Sequence, residues 1–223
     1  MSIETGWLAL RLEGPLQSWG FDSQYNRRST GLMPTRSAIA GICCASLGAD
    51  RGSTEERRLL TDFSGLKMTA IAIPRSVRGK TLEVRRLQDY HTVMGTRKAD
   101  GGIKDCHITY RYYLSDAAFG IVLEGARTIL LHLAEGLRDP KWGLWLGRKT
   151  CIPTSPVLVG FFETREAALK SLLGEIPLER FTRQEEVDTF AAGKDSLPDR
   201  PISFLASGRA FAPRRVRTVQ GTA

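Results

Sequence analysis

The chain has 223 residues, of which 42% are hydrophobic, and it carries a formal net charge of +8 at pH 7. Such a chain can bury a core, which excludes wholesale disorder, and no segment approaches the roughly 20 apolar residues that span a bilayer. The positive charge favours a polyanionic partner, either a nucleic acid or an acidic membrane surface. The N-terminus has neither the basic start nor the long apolar run of a signal peptide.

The elements alternate between strands and helices along most of the chain. Thr35 is a predicted N-cap with Gly48 as the stop, and Ser53 and Glu56 have the spacing of a capping box. In the first half of the chain we predict a strand over 7–12, a loop over 14–33, a helix over 34–47, a helix from 53, a strand over 66–73 and an excursion over 75–111. A strand over 119–123, a helix over 127–137, a glycine-rich basic loop over 144–153, a strand over 157–162 and a helix over 164–173 follow. The chain then continues as a poorly structured acidic connection over 175–200 and two strand-like pieces around Ile202 and Val216.

This order indicates an α+β fold, a ferredoxin-like or RRM-like sandwich with an insertion. The insertion, residues 75–111, holds nine Lys and Arg against four acids, a net charge of +5, with few large aliphatic side chains. It is therefore predicted to leave the core as an extended excursion. An ordinary solvated loop is the alternative, but the density of arginine and tyrosine makes a nucleic-acid surface at least as good an interpretation.

Two glycine-rich clusters have the chemistry of phosphate clamps. GPLQSWG, residues 14–20, follows the first strand, where glycine allows backbone N–H groups to approach a phosphate and Trp19 offers a stacking face. LGRKTC, residues 146–151, sets two cations directly after Gly147. A tight turn with a packed tryptophan explains either cluster on its own equally well.

A third cluster, PTRSAIAG, covers residues 34–41 at a predicted helix start. Free N–H groups and the helix dipole favour an anion there, and Arg36 between Thr35 and Ser37 adds a charge-assisted contact. Routine helix capping is the competing interpretation.

Other chemistry has little support in the sequence. The four cysteines, Cys43, Cys44, Cys106 and Cys151, form no C-x-x-C pair, so idle thiols in a reducing cytoplasm are expected rather than zinc ligands or disulfides. The acids show no paired-carboxylate metal site, and no phosphate-binding or dinucleotide-binding glycine motif occurs. We predict no cofactor.

Five motifs occur in one order: GPLQSWG, PTRSAIAG, DYHTVMG at 89–95, YRYYLSDAAF at 110–119, and LGRKTC. With them the chain resembles the CasD family, a subunit of type I-E CRISPR Cascade in the RAMP superfamily, over residues 7–159. RAFAPRRVRTVQG, residues 209–221, fits that family's basic closing strand.

The resemblance implies a RAMP body over residues 1–162, with a β-hairpin thumb inserted at about 75–112. Residues 163–223 then form a C-terminal helix, a polar linker and basic closing strands. The implied function is that of a non-catalytic cytoplasmic subunit that holds the 5′ handle of the mature crRNA and helps to assemble the complex for antiviral DNA targeting. Its implied partners are that handle, the adjacent backbone subunit and the large PAM-reading subunit, with target DNA contacted indirectly and no membrane.

The residues that we predict to contact RNA combine the three clusters with the cations and rings of the insertion. They are Gln17, Ser18, Trp19, Arg27, Thr35, Arg36, Ser37, Arg85, Arg86, His91, Arg97, Lys98, Arg111, Tyr113, Gly147, Arg148 and Lys149.

The alternative function is a metal-independent endoribonuclease that processes CRISPR repeat RNA. His91 is the one plausible general base, because a base that activates a 2′-hydroxyl needs no metal. Tyr90 and Lys104 complete that candidate catalytic set. The motifs of the type I-E family argue against this alternative, because a separate subunit cuts the RNA in that system.

Overall fold

The computed structural model describes residues 4–20, 22–24, 26–82, 84–98 and 100–222, and within them the chain is a mixed α+β protein built mostly of sheet. The elements are β1 (Thr5–Glu13), β2 (Leu16–Gln17), β3 (Arg27–Arg28), α1 (Arg36–Leu47), α2 (Thr54–Ser64), β4 (Lys67–Ala72), β5 (Arg75–Val77), β6 (Lys80–Leu82), β7 (Arg85–Arg97), β8 (Ile103–Ser115), β9 (Ala118–Ala126), α3 (Arg127–Arg138), β10 (Leu158–Phe162), α4 (Arg165–Leu173), β11 (Arg183–Glu186), β12 (Asp195–Ser203) and β13 (Ala210–Val219).

The predicted helix caps are confirmed. The Thr35 hydroxyl accepts from the Ala38 N–H at 3.3 Å, and Gly48 ends α1 with a φ of 71°. The Ser53 hydroxyl accepts from the Glu56 N–H at 3.0 Å at the start of α2. These caps were predictable because each one depends on residues within a single turn.

The main sheet has the order β10-β1-β9-β4-β11-β13-β12, and β1 and β9 pair antiparallel over nine positions. Alternation along β1 turns Leu8 and Leu10 towards α1, α2 and α3, while Ala9 faces α4 on the opposite side. Both faces of the central strands are therefore buried. No described helix combines the length and the apolar character needed to cross a bilayer.

The acidic connection predicted over 175–200 is wrong. The 3-10 turn Leu178–Arg180, the strand β11 and the first two thirds of β12 lie there, and β11 joins the main sheet between β4 and β13. Its polar residues are satisfied by ion pairs, since Glu185 accepts from Arg183 in its own strand and from Arg217 directly opposite. Burial alone would raise the pKa of Glu185, but these two guanidinium groups hold it below its usual value.

The sheet also crosses the proposed boundary at residue 162, because β11 and β13 continue the order begun by β4. The division into 1–162 and 163–223 stays a prediction. The two strand-like pieces expected around Ile202 and Val216 are confirmed as β12 and β13.

Four buried charged residues connect the C-terminal strands to the first helix: Arg36, Glu186, Asp199 and Arg214. Asp199 receives two hydrogen bonds from Arg214, at 2.6 and 3.0 Å, and a third from the backbone N–H of Arg36 at 2.8 Å. The Arg36 guanidinium, fully buried, pairs with Glu186 and donates to the carbonyls of Phe63 and Leu66 at 2.6 and 2.7 Å. Burial lowers the pKa of Arg36, and Glu186 opposes that effect.

We predict that Arg36→Met lowers the free energy of unfolding by about 3 kcal/mol, because Glu186 would keep only Arg200 as an ion-pair partner and the carbonyls of Phe63 and Leu66 would lose their donor. Urea unfolding followed by circular dichroism measures the loss. Arg58→Met is the control, since that side chain is 84% exposed and lies 4.0 Å from Asp62 on the surface of α2. The control should stay within about 0.5 kcal/mol of wild type. Equal effects of the two substitutions would contradict the structural role of Arg36.

Candidate nucleic-acid interface

The excursion contains a long β-hairpin whose base belongs to the core. β7 and β8 have 13 residues each and pair from Arg85 opposite Ser115 to Arg97 opposite Ile103. At its base β8 also pairs with β2 and with β3, and Leu114 is fully buried there. The hairpin base is therefore held on several sides, and its distal residues extend away from those contacts.

Strand alternation gives the hairpin two chemically different faces. Directly opposite residues share a face, so Arg86 and Tyr112 lie on one face and Asp89, Arg111 and Tyr113 lie on the other. A shallow depression opens at the base of each face, next to the loops that pack there.

The smaller depression, about 220 Å³, is lined by Arg27, Arg86 and Tyr112 together with the polar loop that precedes α1. Arg27 Nη2 donates to the Tyr112 hydroxyl at 3.2 Å, and its guanidinium carbon lies 5.4 Å from the centre of that ring. Arg86 Nη2 donates to the Thr30 carbonyl at 3.2 Å. Each guanidinium makes one side-chain hydrogen bond within the described chain and keeps other N–H groups for a ligand.

The larger depression, about 400 Å³, lies on the other face. Leu16, Leu87 and Tyr113 form its apolar walls, and Asp89, His91 and Arg111 supply polar groups. His91 Nδ1 lies 3.6 Å from an Asp89 carboxylate oxygen, with both side chains partly exposed at 44% and 39%.

Arg148 borders this face from the 146–151 loop. Its guanidinium carbon lies 4.8 Å from the centre of the Tyr113 ring, and Nη2 donates to the Arg28 carbonyl at 2.8 Å. Nη1 is buried and has no hydrogen-bond partner in the part of the chain that the structure describes. The neighbouring Lys149 is exposed.

The cluster GPLQSWG does not present the groups expected of a phosphate clamp. Trp19 is fully buried and packs edge-on against Phe119 with ring centroids 6.4 Å apart, so the prediction of a stacking face is wrong for this conformation. Gln17 is also fully buried and donates to the carbonyls of Leu12 and Ala117 at 3.1 and 2.7 Å. The Ser18 hydroxyl, likewise buried, donates to the Tyr112 carbonyl at 3.1 Å and so braces the hairpin from inside.

Gly147 is required by packing against that same cluster. A Cβ at this position would lie 1.8 Å from the Ser18 carbonyl oxygen, and the φ of +97° is one that other residues rarely adopt. The Ser18 N–H in turn donates to the Leu146 carbonyl at 3.0 Å. The close backbone approach predicted for these glycine-rich motifs therefore exists, but it joins two loops of the chain.

The start of α1 holds an anion from the chain itself. The Asp199 carboxylate accepts the backbone N–H of Arg36, which occupies the helix N-terminus that the sequence suggested for a phosphate. Thr35 is buried as the N-cap, and its hydroxyl oxygen lies 3.2 Å from the hydroxyl oxygen of Ser37. The Arg36 side chain is fully buried and makes its contacts within the chain. The predicted phosphate contact of Arg36 is wrong, while routine capping is confirmed.

The remaining predicted cations lie on the hairpin surface. Arg85 is exposed at the base of β7, whereas Arg97 and Lys98 are exposed at the distal turn, where the Lys98 N–H donates to the Gly102 carbonyl at 2.8 Å. The distal turn is therefore separated from both depressions by most of the strand.

The candidate nuclease residues are not brought together. Lys104 pairs with Thr96, five residues along β7 from His91, a separation of about 17 Å. The Lys104 ammonium lies 3.2 Å from His107 Nδ1 instead. Tyr90 faces the opposite side of the strand from His91 and contacts the Tyr110 ring at a centroid distance of 5.6 Å.

Tyr112 and Asp89 line the depressions but were missing from the predicted set. A signal for Tyr112 existed, because alternation along the strand YRYYLS sends every second side chain to the same face. Asp89 was overlooked because its negative charge does not fit a search for phosphate-binding groups.

The cysteines take no part in either depression. Burial raises the pKa of Cys43, and burial together with the nearby Glu56 and Glu55 carboxylates raises the pKa of Cys44 to about 12. Cys151 is buried as well, whereas Cys106 is exposed on β8.

Comparison with known proteins places these features in a family. Residues 7–217 match the family described as CRISPR-associated protein (Cas_Cas5). The chain is 31% identical over 220 residues to the CRISPR system Cascade subunit CasD of Escherichia coli strain K12, covering 96% of both chains. These matches confirm the resemblance that the five motifs predicted.

Two solved structures are similar along nearly the whole chain. One is described as a CRISPR RNA-guided surveillance complex, with 27% identity, a TM-score of 0.75, and coverage of 96% of this chain and 89% of that one. The other is described as the crystal structure of a Cas protein, with 31% identity, a TM-score of 0.67, and coverage of 95% and 93%.

We predict that Gly147→Ala destabilises the chain by about 3 kcal/mol or more, because backbone strain adds to a clash with the Ser18 carbonyl. Two controls separate these causes in urea unfolding. Gly101→Ala has a φ of +85° but open space, so it should cost only the strain, about 1 kcal/mol. Gly208→Ala has neither feature and should be neutral. A loss at Gly147 no larger than at Gly101 would refute the contact between the loops.

Proposed function

The chain belongs to the Cas5 family of CRISPR-associated proteins, and from that membership we propose that it is a Cascade subunit that holds the 5′ handle of the crRNA and does not cut RNA itself. The observation that carries the proposal is the pair of depressions at the base of the β7–β8 hairpin, each bordered by tethered arginines and tyrosines.

The chemistry of this surface fits a single-stranded end. Such an end presents phosphates, which need cations, and splayed bases, which need flat or apolar contacts and hydrogen-bonding groups. Arg27 and Arg86 supply cations beside Tyr112 on one face, while Arg111 and Arg148 supply them beside Tyr113 on the other.

Arg148 adds a specific reason to expect an anion nearby. Its side chain is only partly buried, and its guanidinium carbon lies 4.8 Å from the centre of the Tyr113 ring, which lines the larger depression. A phosphate bound beside that ring would therefore meet a positive charge. We therefore propose Arg148 as a phosphate contact whose orientation Tyr113 and the Arg28 carbonyl fix in advance.

We further propose that the body is ferredoxin-like and that the hairpin acts as its thumb. The strand order supports the first point, because the β1 and β9 pair lies between β10 and β4 with helices in the connections. The exposure of the distal hairpin supports the second, since Met94 and Ile103 are 70% and 68% exposed on strands that do not bury them internally.

The proposed partners are the adjacent backbone subunit, the large PAM-reading subunit and, through them, the target DNA, all within the cytoplasm. Apolar side chains exposed on the hairpin are suited to contact with another protein subunit. The remaining predicted contacts, Arg85, Arg97 and Lys98, lie along the same hairpin and are proposed as contacts to RNA in the assembled complex.

The decisive experiment is to express the chain with the neighbouring subunits of its complex, irradiate the purified complex and sequence the RNA crosslinked to the chain. We expect one uniform 5′ segment, with crosslinks at the base of the hairpin. A random mixture of RNA ends, or crosslinks only to other subunits, would refute the proposal.

We predict that Arg27→Gln weakens binding of that RNA about tenfold, as expected for the loss of one charge-assisted contact. The slope of log affinity against log salt should also become shallower by about 0.7, because one fewer phosphate is neutralised. Fluorescence anisotropy over a salt series measures both quantities. Arg58→Gln removes the same charge from the surface of α2 and should change neither.

A further inference from the structure

Between β4 and the long hairpin the chain forms a short two-stranded ribbon, residues 75–82, whose residues line neither depression. In this β5–β6 ribbon the strands pair antiparallel from Arg75 opposite Leu82 to Val77 opposite Lys80, so the turn consists of residues 78 and 79 alone. Both turn residues have positive φ, 50° at Arg78 and 75° at Gly79, as a type I′ hairpin turn requires.

Arg78 is an unfavourable residue for this turn. Within the described chain two residues other than glycine have positive φ, Arg78 and Asp116. Aspartate tolerates that conformation because its short polar side chain can bond to nearby backbone, whereas the long side chain of arginine has no such compensation. Asn-Gly or Gly-Gly would form the same turn with less strain. A strained residue that the turn itself does not need points to a function of its side chain.

Arg75 fixes the root of the ribbon to the body. Its Nε lies 3.1 Å from Glu13 Oε1 and its Nη1 lies 2.9 Å from Asp116 Oδ1, with the Arg75 side chain only 18% exposed. Glu13 ends β1, and Asp116 lies between β8 and β9. The two ion pairs therefore hold the ribbon against two other segments of the chain, so that the turn is presented from a fixed position.

The exposed end of the ribbon carries positive charge without aromatic rings. Arg78 and Lys80 are exposed, and residues 75–82 contain neither an acid nor an aromatic residue. Proteins hold single-stranded nucleic acids by stacking on their bases as well as by charge, so a surface without rings suits a single strand poorly. A duplex keeps its bases stacked inside and presents phosphates to cations. The end of the ribbon therefore fits a duplex backbone better than a single strand.

We propose that the β5–β6 ribbon is a second nucleic-acid contact, in which Arg78 and Lys80 bind phosphates on the backbone of a duplex. The contact reads no sequence, because the phosphates are the same at every base pair. It goes beyond the proposed function, since holding a single-stranded end does not require it. DNA and RNA duplexes share this phosphate chemistry, and the experiment distinguishes them.

The test uses the full-length chain with Arg78→Asn and Lys80→Gln combined, and a short fluorescently labelled duplex of arbitrary sequence, made once as DNA and once as RNA. We expect the double variant to bind a duplex about tenfold more weakly, since two charge-assisted contacts are lost. The slope of log affinity against log salt should become shallower by about 1.8, from ~0.9 for each phosphate. Arg57→Gln with Arg58→Gln is the matched control, because it removes two exposed charges from α2 and should change both quantities far less.

Urea unfolding separates a functional arginine from one that the turn merely tolerates. Asparagine is favoured at the first position of a type I′ turn, so Arg78→Asn should raise the urea midpoint while it weakens duplex binding. Arg78→Lys keeps both the charge and the strain, so it should stay close to wild type in both measurements. Weaker binding together with a lower urea midpoint would overturn the inference, because the substitution would then act by damaging the fold.

Three further outcomes decide the matter. Equal losses in the ribbon variant and the α2 control would overturn the inference, because any surface charge would then serve. A loss for the labelled 5′ RNA segment as large as that for the duplexes would also overturn it, since the ribbon would then belong to the single-stranded site. Failure of the wild-type chain to bind either duplex would overturn it and leave the proposed RNA-holding function intact. A specific loss with the DNA duplex, the RNA duplex or both supports it and identifies the duplex bound.

Discussion

The shared use of β8 is the constraint on which the candidate interface depends. One end of this strand contributes Leu114 to the core and pairs with β2 and β3, while the other end forms the hairpin with β7. Side chains alternate between the two faces along the whole strand, so the burial of Leu114 at one end decides which side chains lie on each face further along. Core packing thereby fixes Arg111 and Tyr113 on one face and Tyr112 on the other.

A second constraint is the competition for positive charge. The chain is basic, but Arg36 and Arg214 are buried in contacts with Glu186, Asp199 and backbone carbonyls. These cations attach the C-terminal strands to α1 and are not available to a ligand. The cations that remain at the surface include Arg27, Arg86 and Arg111, which lie where the hairpin joins the body.

The parts of the fold that could be predicted are those governed by neighbouring residues. Thr35 and Ser53 start helices because each hydroxyl caps an N–H three residues away, and β1 is evident as an apolar run. β11 was missed because the segment RQEE has no apolar alternation. It becomes a strand because β4 and β13 pair with it on either side and Arg217 forms an ion pair with Glu185.

The site was harder to predict because its contacts join residues that are distant in the sequence. A glycine beside a cation has the same sequence signature whether the backbone approaches RNA or another loop, and only the fold shows that Gly147 lies against Ser18. Likewise an anion was expected at the start of α1, but Asp199, 163 residues later, already provides it. Contacts between residues so far apart in the chain leave no local signal in the sequence. The motifs therefore indicated a close backbone approach and a bound anion, but not that Ser18 and Asp199 of the same chain are the groups involved.

The arrangement of charge also explains why a hairpin suits this surface better than a loop. A phosphate clamp needs only cations, and flexible side chains on any loop can provide them. On two paired strands, directly opposite positions hold charged side chains at a fixed separation without further support. Asp89 and Arg111 occupy such positions next to the anchored base of the hairpin, where β8 is held by β2 and β3 and is least free to move.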